Sequence, residues 1–114
     1  MQNITQEQAK QFLKTLPFEK WCDASLMFPP KTIHRRKLKS LHDLLYLFTD
    51  VASSLVFIDI PKITQWIDKD VGDKELALLI QAQVDTKESY IKQLQQFKEL
   101  VINRIKFLEL QMES

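Results

Sequence analysis

Glycine is almost missing from this sequence: Gly72 is the single one in 114 residues, where average usage of about 7% would supply roughly eight. Phosphate-cradling loops, dinucleotide fingerprints and nucleophile elbows each need several glycines, because backbone must approach a ligand closely or take a positive φ. Those enzyme classes are excluded, and hairpin-rich β folds are disfavoured for the same reason. Cysteine is equally scarce. Cys22 stands alone, so no internal disulfide forms, and with only two histidines one chain cannot assemble a Cys/His metal site. No metal and no cofactor is expected. Neither sign of charge dominates: sixteen Lys and Arg against fifteen Asp and Glu leave a net +1, so overall charge selects no partner. Long apolar runs are lacking too. The most apolar window, Leu44 to Ile60, carries Asp50, Ser53, Ser54 and Asp59, whereas a membrane span needs about twenty apolar residues with few charges. The opening MQNITQEQAK is polar, without the basic-then-apolar order of a secretory signal. The expectation is a soluble, cytoplasmic chain with no membrane partner and no small-molecule substrate.

What is present is helical patterning. A chain this long buries roughly two thirds of its unfolded surface, enough for one core, and residues 1-114 are read as a single helical-bundle domain. Thr5-Gln6-Glu7-Gln8 is a capping box, followed by Ala9, Phe12, Leu13 and Leu16 on one helical stripe and by Pro17, which ends it. Phe18, Trp21 and Cys22 suit a short second helix, closed by Pro29-Pro30. From Thr32 or a neighbour the spacing predicts a long helix, with Leu38, Leu41, Leu45, Phe48, Ala52 and Leu55 on one stripe. Leu44, Val51 and Ile58 widen that stripe, which places the helix centrally. Asp59-Ile60-Pro61 starts a short helix with Ile63, Trp66, Ile67 and Val71, and Gly72 is its left-handed cap. Asp73 caps the next helix. Either that helix breaks at Asp85-Thr86-Lys87-Glu88, a second capping box, or it runs unbroken to Met112. In the latter case Ile80, Lys87, Leu94, Val101 and Leu108 take one heptad position, and Val84, Ile91, Lys98, Ile105 and Met112 the other. The predicted fold is all-α: a compact bundle of four to six helices with a long C-terminal helix.

Two surface features bear on function. Between Ala24 and His42 there is no acid, yet Lys31, Arg35, Arg36, Lys37 and Lys39 fall there. That segment carries +5 and the remainder −4. In the first turns of a helix each such cation opposes the macrodipole, at about 0.3–1 kcal/mol. Helix stability alone does not explain them, so they are candidate contacts for a nucleic-acid backbone. His34 is a further member, and Phe28 and Trp21 lie near in sequence, as a stacking surface requires; core packing is the other reading of both aromatics, and a solvated helix face that of the cations. The second feature is an apolar surplus on the last helix. Leu100, Ile102, Phe107 and Leu110 exceed the three apolar positions or so that a bundle helix needs per heptad. They mark either a protein partner, self-association, or a deeply buried helix.

Arg36 and His42 have five residues between them, and Arg35 and His42 six. This resembles the motif of the HEPN superfamily of all-helical, metal-independent ribonucleases. The resemblance implies His42 as general base on a ribose 2′-OH and Arg35 as the residue stabilising phosphorane charge. On a continuous helix Arg36 and His42 point about 120° apart, while Arg35 and His42 share a face two turns apart. In size, helicity and one-sided basic character the chain is also similar to the small helical subunits of CRISPR effector complexes. That likeness implies nonspecific phosphate contacts through Arg35, Arg36, Lys37 and Lys39. Ser53 and Ser54 read as mid-helix residues bonded to the preceding turn, Cys22 as a small core residue, and Asp59, Asp68, Asp70 and Asp73 as caps and surface. Three readings follow. The first is a non-enzymatic interaction subunit of a larger protein or ribonucleoprotein complex, the second a small nucleic-acid-binding (RNA-binding) subunit, and the third the ribonuclease.

Overall fold

The first helix starts where its cap is written. In the computed structural model, which describes residues 4–24, 26–28, 32–34, 37–50 and 58–113, Thr5 Oγ1 accepts the Gln8 N–H at 3.1 Å. The Gln8 side chain accepts the Thr5 N–H at 3.0 Å in return, closing the capping box of α1, Gln6–Leu13. The helix stops before Pro17, with Lys14 already extended. Leu16 therefore lies beyond it, buried all the same. The short second helix expected over Phe18–Cys22 is a single 3-10 turn, Phe18–Lys20.

The largest departure follows. The helix expected from Thr32 begins at Leu41 (α2, Leu41–Asp50). Before it come four short strands: β1 (Cys22–Asp23), β2 (Leu26–Phe28), β3 (Thr32–His34) and β4 (Lys37–Leu38). β1 pairs with β4 and β2 with β3, both antiparallel and in one common register, Cys22 opposite Leu38 and Phe28 opposite Thr32. Together they form a two-stranded ribbon. Leu38 stands three residues before Leu41, so its spacing continues the helical stripe although it belongs to a strand. The helix start is fixed instead by Asp43, whose Oδ2 accepts the Lys39 N–H at 2.6 Å. An acid thus occupies the first turn, as the macrodipole favours, and the cost inferred for cations in that turn does not arise.

The remaining helices follow the sequence closely. Asp59 Oδ1 accepts the Lys62 N–H at 3.1 Å to cap α3, Ile60–Trp66, with Pro61 in its first turn. α3 continues as a π-helical turn, Ile67–Val71, and ends at Gly72 with φ 87°. Asp73 caps α4, Lys74–Gln83, by accepting the Leu76 N–H. The last region is two helices. Asp85–Glu88 is a turn in which Asp85 Oδ1 accepts the Lys87 N–H, and Ser89, whose Oγ accepts the Lys92 N–H, precedes α5, Tyr90–Glu113. Lys87 is therefore outside the helix and the continuous heptad does not form.

α5 is the hub. Among the described residues α1, α2 and α4 all pack on it, so it is central there; Val51, Ala52 and Leu55 of the Leu38–Ile58 segment that the sequence pattern placed centrally lie outside the described residues. Its buried stripe is Leu94, Phe97, Val101, Arg104, Ile105 and Leu108. Phe97 takes the place expected for Lys98, and Ile91 is exposed. Among the described residues these five α-helices make an all-α bundle around one contiguous core, and no helix is long and apolar enough to cross a membrane. Arg104 enters that core because it is paired: its guanidinium donates to both carboxylate oxygens of Asp73 at 2.8 Å, with the two side chains 2% and 1% exposed. Asp73, the cap of α4, also joins α4 to α5 through this pair. Glu75 Oε2 lies 3.3 Å from Arg104 Nη1, an ion-pair distance without hydrogen-bond alignment.

Candidate functional site

The ribbon leaves the bundle at a clamped root. Leu16 N–H donates to Lys39 O at 2.8 Å, joining the chain just before the ribbon to the chain just after it. Trp21 Nε1 donates to Leu16 O at 2.8 Å, and Trp66 Nε1 to Lys20 O at 2.7 Å. Lys62 Nζ donates to Asp23 O at 2.9 Å, tying α3 to β1. Cys22 and Leu38, opposite each other in the ladder, are both buried. The β2–β3 ladder keeps the same register out to Phe28 opposite Thr32. β2 and β3 pack on each other, and among the described residues neither has an extended contact with any helix. A two-stranded ribbon without a covering layer is marginal by itself.

Of the five candidate cations, Lys37 and Lys39 lie among the described residues; Lys31, Arg35 and Arg36 lie outside them. Lys37 is on β4, exposed, with Nζ 3.4 Å from Asp23 Oδ2. Lys39 is also exposed and places its Nζ 4.8 Å from the centre of the Trp21 ring. Of the described cations, Lys37 thus sits on a strand and Lys39 between β4 and α2, ahead of the helix and not in its first turns. Trp21 in turn meets Phe18 edge to face, centroids 4.9 Å apart at 62°. Phe18 is 76% exposed.

A groove of about 420 Å³ opens beside this root, lined by Trp21, Asp23 and Trp66 and by Lys62, Lys69 and Asp70. Lys69 and Asp70 belong to the π-helical turn, a geometry that recurs at functional sites. Phe18, Lys62 and Lys69 were not singled out in the sequence. The signals available were an aromatic wedged between Pro17 and Glu19 and two lysines seven residues apart. Cys22 also lines the groove, and burial pushes its thiol above the ordinary 9.0 while Lys62 partly offsets the rise. It is held as an unreactive thiol, in keeping with a core role.

The other candidates separate. His42 Nε2 lies 2.9 Å from Glu109 Oε1, in a cleft of about 440 Å³ shared with Lys10, Lys14 and Glu113. β4 stands between His42 and the segment of Arg35 and Arg36, so the shared helical face computed for Arg35 and His42 does not exist. Ser53 and Ser54 lie outside the described residues. Asp59 and Asp73 are caps, as expected. On α5, Leu100, Ile102 and Phe107 are half-buried, with Arg104 stacked 5.4 Å from the Phe107 ring. Leu110 is exposed, as is Ile91, but nineteen residues of helix separate them by about 28 Å, so they form no common patch. No group of three or more His, Cys, Asp or Glu among the described residues is placed to hold a metal ion. No family model, curated protein or solved structure matches this chain.

Proposed function

We propose that the chain is a non-enzymatic, cytoplasmic interaction subunit of a larger protein or ribonucleoprotein assembly, with the ribbon as its docking arm. One observation supports this reading: a two-stranded ribbon is anchored firmly at its root, yet among the described residues β2 and β3 have no extended packing against a helix. Exposed backbone edges and uncovered strands are expensive for a free-standing chain. They are economical where a partner supplies the missing layer, and strand segments of this kind are regular docking elements. In sequence β2 is the apolar tripeptide Leu26-Met27-Phe28 and β3 carries Ile33.

The test replaces residues 26–34 by Asn-Gly, a pair suited to a two-residue hairpin turn. The shortened chain is expected to fold, with Tm within about 4 °C of the parent, a change of about 1 kcal/mol or less. In extract of the native host the tagged parent is expected to migrate in a species far larger than its own 13.5 kDa, and the shortened chain as the free protein. A parent that migrates as a free monomer overturns the proposal, as does a shortened chain that no longer folds.

A nucleic-acid reading is favoured by a separate observation, the meeting of exposed lysines and aromatic rings at the ribbon root, and is developed next.

A further inference from the structure

We infer that the groove at the ribbon root binds single-stranded nucleic acid, with Lys37, Lys39, Lys62 and Lys69 on phosphates and Phe18 stacked on a base. This goes beyond the docking reading and stands on a different surface, the root groove in place of strands β2 and β3.

Phe18 is the starting point. Its ring is 76% exposed on a 3-10 turn and meets Trp21 edge to face. An aromatic held in water beside a second aromatic offers a free π-face, and base stacking on such a face tolerates any sequence. Cations from three elements lie at Trp21, on which Phe18 packs, and along the groove that Trp21 lines. Lys39 lies against Trp21, Lys37 pairs with Asp23 on the groove wall, and the exposed Lys62 and Lys69 come from α3 and the π-helical turn. The groove lining itself is balanced, Lys62 and Lys69 against Asp23 and Asp70, and the positive excess comes from Lys37 and Lys39 beside it, through their contacts with Asp23 and Trp21. Cations interleaved with rings are what a single strand recognises, since it presents both phosphates and unstacked bases. Duplex DNA hides its bases, and polyphosphate has none.

The experiment is anisotropy of fluorescein-labelled oligothymidylate and oligouridylate with the full chain, between about 50 and 200 mM KCl. Four phosphate contacts predict an affinity loss of about 50-fold over that range. Lys62→Gln with Lys69→Gln halves the contacts and flattens the loss to about 7-fold. Phe18→Ala weakens binding about 5- to 150-fold at every salt concentration and leaves the salt dependence unchanged. Asp70→Asn strengthens binding. All these side chains are exposed or half-exposed, and circular dichroism checks that each variant folds. Inorganic polyphosphate competes with an affinity indifferent to Phe18→Ala. Absence of binding at the lowest salt overturns the inference. So does binding that Phe18→Ala does not weaken, or binding confined to phosphatidylserine vesicles. If oligonucleotides do not bind while the large species in extract still depends on the ribbon, the nucleic-acid inference alone falls. If they bind as described while the parent runs as a free monomer, the assembly reading alone falls.

Discussion

Replacing Asp73 removes two supports at once. Its carboxylate takes both hydrogen bonds of a guanidinium that is 2% exposed, and it caps α4 by accepting the Leu76 N–H. Breaking one half of a buried ion pair costs about 3–5 kcal/mol, because the surviving charge is left unsolvated. Losing an Asp N-cap adds about 1 kcal/mol. Glu75, already 3.3 Å from Arg104, recovers part of this when it realigns, so Asp73→Ala is expected to cost about 4 kcal/mol. Against a total stability of about 5–15 kcal/mol that is a large share. In urea it appears as a midpoint lowered by about 2–3 M, followed through far-UV circular dichroism and the fluorescence of buried Trp66. The informative partner is Asp73→Ser with Arg104→Met. Ser keeps the cap, and Met fills the guanidinium's volume without its charge. An apolar replacement of a whole buried pair is often neutral or stabilising, so the double variant is expected to be more stable than Asp73→Ser alone. An Asp73→Ala cost below about 1 kcal/mol, or a double variant as unstable as the sum of its parts, refutes the account of Arg104 as a buried charge dependent on Asp73.

Two further outcomes are expected. Burial raises the Cys22 thiol above 9.0 and the Tyr90 phenol above 10.0, the latter partly offset by its hydrogen bond from Ile58 N–H. The folded chain therefore keeps these protons longer than the unfolded one: stability is full below pH 9.0 and declines as pH rises through the folded values. Tm measured from neutral to strongly alkaline pH should show that decline, and Cys22→Ala and Tyr90→Phe should each reduce it; an unchanged slope counts against buried ionisation. At Gly72, φ is +87° and an added Cβ meets nothing within 4 Å, so Gly72→Ala should cost only the left-handed backbone penalty of about 1–2 kcal/mol. Gly72→Asn should cost less in the same urea titration, and equal costs would mean that something other than backbone conformation selects glycine there.

Local signals in the sequence were legible and non-local ones were not. Thr5, Asp59, Pro61, Gly72 and Asp73 act on backbone within three or four residues of themselves, and each does what its position implies. The ribbon was hidden because Leu38 falls in phase with Leu41 and Leu45 by coincidence of spacing, while the pairing of Cys22 with Leu38 leaves no periodic trace. The β-branched Thr32-Ile33 after Pro29-Pro30 was the available hint. Arg104 was hidden for another reason. It occupies the core position between Val101 and Leu108 on a 94–97–101–104–108 stripe, and patterning by polarity reads Arg as solvent-facing until its carboxylate partner is known. Of the candidate site, the basic run was legible as composition. Its neighbours Phe18, Lys62 and Lys69 were not, because folding and not sequence proximity brings them to the ribbon root.

The bond from Leu16 N–H to Lys39 O has a consequence for how the chain can change over evolutionary time. It closes everything between those residues into an excursion whose two ends meet, so α1 and α2 are joined across one hydrogen bond whatever the path between. Lengthening such an excursion is inexpensive, about 0.6 kcal/mol for each doubling of a flexible loop, and the helices register no change of geometry. The root is thus a grafting port: another hairpin, or a longer recognition segment, is accommodated there while the bundle keeps its core. Variation in what this scaffold holds is expected to concentrate between Ala24 and Lys37, and constancy in the buried root pair Cys22 and Leu38 and in the helices that α5 gathers.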